Sequence, residues 1–349
     1  MVDTAFSVAV STAEGSVAVA PRIARIFSYI WNCETYFNKL ETELRKLEVE
    51  EIFDLQKVNF EESDSRAVPC RLQDLNLEVL PKLKHIWKKD PQAKLSFEEL
   101  PMPESLSVSD CDSIEVIFDL QKVNFEESHS RPVTYRLQEL YIRRLPKLKH
   151  IWKRDPQAEL SFEELPMPES LSVMGCDSIE VIFDLQKVNF EESDSRAVTY
   201  RLQYLNLEWL PKLKHIWKKD PQAKLSFEEL PMPELLSVSA CDSIEVIFDL
   251  QKVNFEESYS RPVTYRLQEL YIRRLPKLKH IWKRDPQAEL SFEELPMPES
   301  LSVTGCDSIE VIFDLQKDKQ LWGPNLKKSK PKPILQRDSV AADLVYQFC

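Results

Sequence analysis

The tetrapeptide His-Ile-Trp-Lys occurs four times, with its tryptophans at Trp87, Trp152, Trp217 and Trp282, and each step is 65 residues without insertion or deletion. A chain that copies itself this strictly is an array of one supersecondary unit. Arrays stack, each copy covering the apolar face of its neighbour, and they present long surfaces rather than deep pockets. Binding or scaffolding is therefore expected before catalysis.

The copies show more than one period. Arg71-Leu-Gln-Asp-Leu-Asn-Leu-Glu-Val-Leu80 reappears as Arg201-Leu-Gln-Tyr-Leu-Asn-Leu-Glu-Trp-Leu210, and Arg136-Leu-Gln-Glu-Leu-Tyr-Ile-Arg-Arg-Leu145 reappears unchanged at 266–275. Copies one and three match, as do copies two and four, so a 65-residue unit was doubled, diverged and doubled again.

Each copy holds two segments that read as short strands. In copy one they are Leu72-x-x-Leu75-x-Leu77 and Leu106-x-Val108-x-x-Cys111, the second followed by Ile114, Ile117 and Phe118. The pattern L-x-x-L-x-L-x-x-N/C is a leucine-rich repeat signature. Alternate residues of a strand share one face. The inward pairs are thus Leu75/Leu77, Leu106/Val108, Leu140/Ile142, Leu171/Val173, Leu205/Leu207, Leu236/Val238, Leu270/Ile272 and Leu301/Val303. Eight repeats result, spaced alternately 31 and 34 residues apart. A curved parallel sheet is expected, with irregular or short helical convex segments. Pro81, Pro146, Pro211 and Pro276 cannot donate to a ladder and end each first-type strand. Leu83, Ile86 and Trp87 then turn inward, and the lysines between them stay wet.

These motifs, with Leu80-Pro-Lys-Leu-Lys-His-Ile-Trp-Lys-Lys-Asp-Pro-Gln, Leu95-Ser-Phe and Leu106-Ser-Val-Ser-Asp-Cys-Asp-Ser-Ile, resemble the repeat region of plant disease resistance proteins of the coiled-coil, nucleotide-binding, leucine-rich-repeat class. The resemblance covers about 49–316 and implies an α/β solenoid, a leucine-rich-repeat horseshoe with a curved parallel sheet. The N-terminal stretch Val19-Ala-Pro-Arg-Ile-Ala-Arg-Ile-Phe-Ser-Tyr-Ile is similar to the start of such receptors, and Leu40, Leu44 and Leu47 form one stripe of a helix. Three regions follow: 1–48, a short helical, coiled-coil-like segment able to self-associate; 49–316, the repeat array; and 317–349, a basic tail expected to be disordered. The nucleotide-binding module of the class is expected to be missing, because residues 48–72 leave no room for it. With four glycines the chain offers no G-x-x-x-x-G-K-[ST] loop.

Chemistry is sparse. His85, His150, His215 and His280 are one repeat position, and copies roughly 10 Å apart on the strand spacing cannot share a metal ion. Four of the seven cysteines, Cys111, Cys176, Cys241 and Cys306, are also one position, read as buried turn thiols rather than reactive ones. The adjacent glutamates at 61/62 and 98/99 are not posed as an acid/base pair. No cofactor, no metal and no catalytic residue is expected. A net charge of -12 argues against nucleic acid, and no apolar run is long enough for a membrane span. The expected setting is cytoplasmic.

The candidate site is the concave face. Flanking the inward pairs, the outward residues are Asp74, Asn76 and Glu78; Glu139, Tyr141 and Arg143; Tyr204, Asn206 and Glu208; and Glu269, Tyr271 and Arg273. Serines of the second-type strands lie between these bands. Tyr141 and Tyr271 are expected four strands apart, roughly 19 Å. Tyrosine and arginine are favoured at interfaces, so this face is expected to bind a protein partner in defence or its regulation. The alternative is an incomplete or degenerate product of a receptor locus with no independent function.

Overall fold

The computed structural model describes residues 50–54, 73–88, 102–119, 137–153, 167–185, 202–219, 232–249, 267–283, 298–309, 311–313, 333–336 and 343–347. The chain divides into two compact bodies, 1–160 with 164–168, and 161–163 with 169–349.

The first body holds β1 (Glu51–Asp54), β2 (Asp74–Glu78), β3 (His85–Lys88), β4 (Ser105–Ser109), β5 (Val116–Asp119), β6 (Glu139–Arg143) and β7 (His150–Lys153). Its long sheet is parallel and in register, with Leu75 opposite Leu106 and Leu106 opposite Leu140. A second layer pairs β1 with β3 and β5 with β7, also in parallel.

The second body repeats this plan. It holds β8 (Ser170–Met174), β9 (Val181–Leu185), β10 (Tyr204–Glu208), β11 (His215–Lys219), β12 (Leu235–Ser239), β13 (Val246–Asp249), β14 (Glu269–Arg273), β15 (His280–Lys283), β16 (Ser300–Thr304), β17 (Val311–Phe313), β18 (Pro333–Gln336) and β19 (Asp343–Gln347). The long sheet runs β8, β10, β12, β14, β16 in parallel, and the second layer pairs β9 with β11 and β13 with β15 and β17. Each body is therefore a parallel β-solenoid of leucine-rich repeats.

The alternation read from sequence is present: Leu75, Leu77, Leu106, Val108 and their copies are buried while the residues between them face outward. Each first-type strand leads into a β-turn in which Leu83 N–H donates to Leu80 C=O at 3.1 Å, with Pro81 second in the turn. Proline suits that position because its ring presets φ. The same turn closes at Leu148, Leu213 and Leu278.

The second layer departs from expectation. Among the described residues there is no helix, and the segments expected to be irregular or helical include strands made of His-Ile-Trp-Lys and Val-Ile-Phe-Asp. The described architecture is thus all-β rather than α/β. The physical reason is residue type: β-branched and aromatic side chains favour the pleat, and each segment has an in-register copy to pair with. Ile86 and Trp87 are both buried, as are Ile117 and Phe118, so these strands bury both faces and carry no alternation.

Within the tail read above as disordered, β18 and β19 form an antiparallel pair, and β19 lies antiparallel to β16 along the sheet edge. The helix expected over 1–48 with Leu40, Leu44 and Leu47, and the glutamates at 61/62 and 98/99, lie outside the described residues.

Candidate functional site

The outward face of the long sheet is set by the pleat. Because the Leu pairs point into the core, their neighbours in sequence must point out. Asp74, Asn76, Glu139, Tyr204, Tyr271 and Arg273 are exposed, while Glu78, Tyr141, Arg143, Asn206, Glu208 and Glu269 are half-buried. The banding expected from sequence is present within each body. Tyr141 stands opposite Ser107, and Arg143 opposite Ser109. Tyr271 stands between Ser237 and Ser302, and Arg273 between Ser239 and Thr304.

Several side chains are held in place. Tyr271 Oη donates to Glu269 Oε2 at 2.6 Å, and that bond keeps the phenol protonated above its ordinary range. Asn206 Nδ2 donates to Ser172 Oγ at 3.4 Å. Both tyrosine rings stand from the sheet, 40 % exposed at Tyr271 and 52 % at Tyr204.

The sequence reading missed one row. The residue after each long-sheet strand sits in the left-handed region: Val79, Asp110, Arg144, Gly175, Trp209, Ala240, Arg274 and Gly305 all have φ between 50° and 64°. Their N–H groups extend the ladder, as when Trp209 N–H donates to Ser239 C=O at 3.1 Å and Ala240 N–H to Arg273 C=O at 2.9 Å. Glycine adopts this conformation without cost, whereas other residues give up about 1–2 kcal/mol. Val79 and Trp209 accept that cost and remain exposed, Trp209 at 56 %. Trp209 Nε1 donates to Glu208 Oε1 at 3.0 Å. In sequence the row is the second residue after the last inward side chain of each strand, just before the Leu of a Leu-Pro turn or the repeated Cys, which no alternation rule describes.

Of the four repeated cysteines, Cys111, Cys176 and Cys241 are buried as expected, while Cys306 is half-buried. Cys111 Sγ lies 3.2 Å from Ser109 C=O and Cys241 Sγ 3.3 Å from Ser239 C=O. Burial pushes both thiols up to about 12. The four repeated histidines occupy the first position of β3, β7, β11 and β15, and burial holds His215 below its ordinary range. Among the described residues no group of three or more His, Cys, Asp or Glu side chains gathers as a metal site would need. Among them, too, no helix is long and apolar enough to cross a membrane.

A family model described as plant disease resistance protein RPS2-like, leucine-rich repeats, matches the chain at residues 25–102, 100–167, 167–232 and 232–322. The matched stretches therefore run from 25 to 322, and the first begins inside the segment read from sequence as helical. Neither a search of curated proteins nor one of solved structures found a match.

Proposed function

The chain belongs to the leucine-rich-repeat family of RPS2-like plant disease resistance proteins, and from that premise we propose that it acts by binding protein rather than by catalysis, in plant defence or its regulation. The observation that carries this reading is the banded outward face. Tyr141 with Arg143, and Tyr271 with Arg273, stand in register beside serines and threonine that leave room around them. A rigid sheet presents these side chains at little entropic cost, and tyrosine and arginine are residues on which binding energy concentrates. The proposed setting is the cytoplasm, where thiols such as Cys111 and Cys241 remain reduced.

Affinity capture from plant tissue with the intact chain tests the reading. Replacing Tyr141 and Tyr271 together by alanine is expected to weaken retention of the captured proteins about tenfold, the scale of losing an aromatic anchor. Unchanged retention removes the face from consideration. A parallel capture without residues 1–48 tests the N-terminal segment: loss of all partners on that deletion moves the function there. Tight binding of a nucleotide by the purified chain would reopen an enzymatic reading.

A further inference from the structure

Copies one and three differ at few positions. They differ at Glu51 against Val181, Pro69 against Thr199, Cys70 against Tyr200 and His129 against Tyr259, but across the stretch that carries both long-sheet strands the differences share one face. Between 71–115 and 201–245 the sequences differ at four places: Asp74 against Tyr204, Val79 against Trp209, Ser105 against Leu235, and Asp110 against Ala240. All four belong to the outward face or to the left-handed row that borders it. All four exchange a polar or smaller side chain for a more apolar or larger one. Copies two and four, over 136–180 and 266–310, differ only at Met174 against Thr304.

The changed residues form two pairs on adjacent strands. Tyr204 and Leu235 stand opposite each other on β10 and β12. Trp209 and Ala240 follow the ends of the same two strands. The two pairs are roughly 16 Å apart on the rise of a strand, within reach of one short segment. Single exposed apolar residues on a soluble protein need no explanation. A cluster that replaces two carboxylates and a serine does, because it raises the free energy of the solvated face unless something covers it.

Charge indicates what covers it. In the first body Arg144 Nη1 pairs with Asp110 Oδ1 at 3.5 Å. The corresponding residues in the second body are Arg274 and Ala240, and alanine offers no carboxylate. The stem of Arg274 passes over Gly305, where an added Cβ would come within 3.5 Å of Cγ. Arg273 stands beside it, exposed. A guanidinium retained while its internal acid is lost is complementary to an acid supplied from outside.

We propose that the face formed by Tyr204, Trp209 and Leu235 docks an apolar, acidic segment of another protein, whose carboxylate pairs with Arg274. This rests on the reading of the outward face as protein-binding and assigns that binding to copy three. The segment places apolar side chains over Tyr204 and Leu235 at one end and Trp209 at the other. Its Asp or Glu takes the place that Asp110 fills in copy one.

The test uses the full chain, a phage-displayed random dodecapeptide library, and variants that restore copy-one residues. Tyr204→Asp, Trp209→Val, Leu235→Ser and Ala240→Asp put into copy three side chains that copy one already carries, so the fold is retained, which circular dichroism checks. The expected pool is rich in Leu, Phe or Trp beside Asp or Glu. Its affinity falls about tenfold on the four-substitution variant, falls less on Ala240→Asp alone, and weakens with added salt.

An empty selection, a pool rich in Lys or Arg, or a pool that binds the four-substitution variant unchanged each overturns the proposal. A dimer in sedimentation that the same variant abolishes also overturns it and gives the face to a second copy of this chain. If affinity resists the four substitutions but falls when Tyr141 and Tyr271 become alanine, copy three is wrong and the broader reading stands. If neither set matters, both fail.

Discussion

At the scale of single residues, burial separates the cysteines from reactive thiols. Cys111 and Cys241 are fully buried, each with its sulfur against a strand-end carbonyl. Desolvation disfavours the thiolate, and the thiolate is the nucleophile. The native chain is therefore expected to resist iodoacetamide at these two cysteines at about pH 8 and to react once unfolded; mass spectrometry of the alkylated peptides reads this. Fast labelling of Cys241 in the native state would remove the structural assignment. The linkage has a definite sign. Above the ordinary thiol range the unfolded chain releases these protons while the fold retains them, so stability falls as pH rises from 9 toward about 12.

At the scale of elements, the second layer is held by aromatic stacking. In the first body Trp87, Phe118 and Trp152 stack with ring centroids 5.2 and 6.3 Å apart. In the second, Phe183, Trp217, Phe248 and Trp282 continue the pattern at 6.3, 5.4 and 5.5 Å, with planes within 19° of parallel. Each ring bridges two repeats, so removing one opens a cavity that its neighbours cannot close. Trp217→Ala is expected to cost about 3–5 kcal/mol in denaturant unfolding; a loss below about 1 kcal/mol would mean that the layer contributes little. Along the exposed flank, Lys149, Lys214 and Lys279 each meet Glu115, Glu180 and Glu245 at 2.7 to 2.9 Å. The backbone N–H of each of these lysines also donates to the C=O of the glutamate it meets, at 2.9 Å. The side-chain pairs are solvent-screened and contribute little beside the stack. The lysine hydrogen bonds hold those carboxylates below their ordinary range, so whatever they add is lost as pH falls from that range through the lowered one.

At the scale of the whole molecule, the far-ultraviolet circular dichroism of the intact chain is expected to be dominated by strand. A spectrum dominated by helix would contradict the layered β architecture. Much of that architecture was legible. The 65-residue period and the inward pairs such as Leu75 with Leu77 follow from periodicity and residue type alone, since one buried face forces alternation, whereas each strand ends at its left-handed residue and the prolines shape the turn beyond it. The outward positions of Tyr141 and Tyr271 are the same rule read from the other side. Periodicity and residue type thus set the array, its register and which side chains leave the core. That His-Ile-Trp-Lys and Val-Ile-Phe-Asp are strands emerges in the folded array alone, because a segment buried on both faces has no period of its own and is ordered by its partner in the next repeat. The same holds for Trp209 and Arg274. Their exit from the sheet depends on a left-handed backbone that is stable only where the neighbouring strand accepts its N–H.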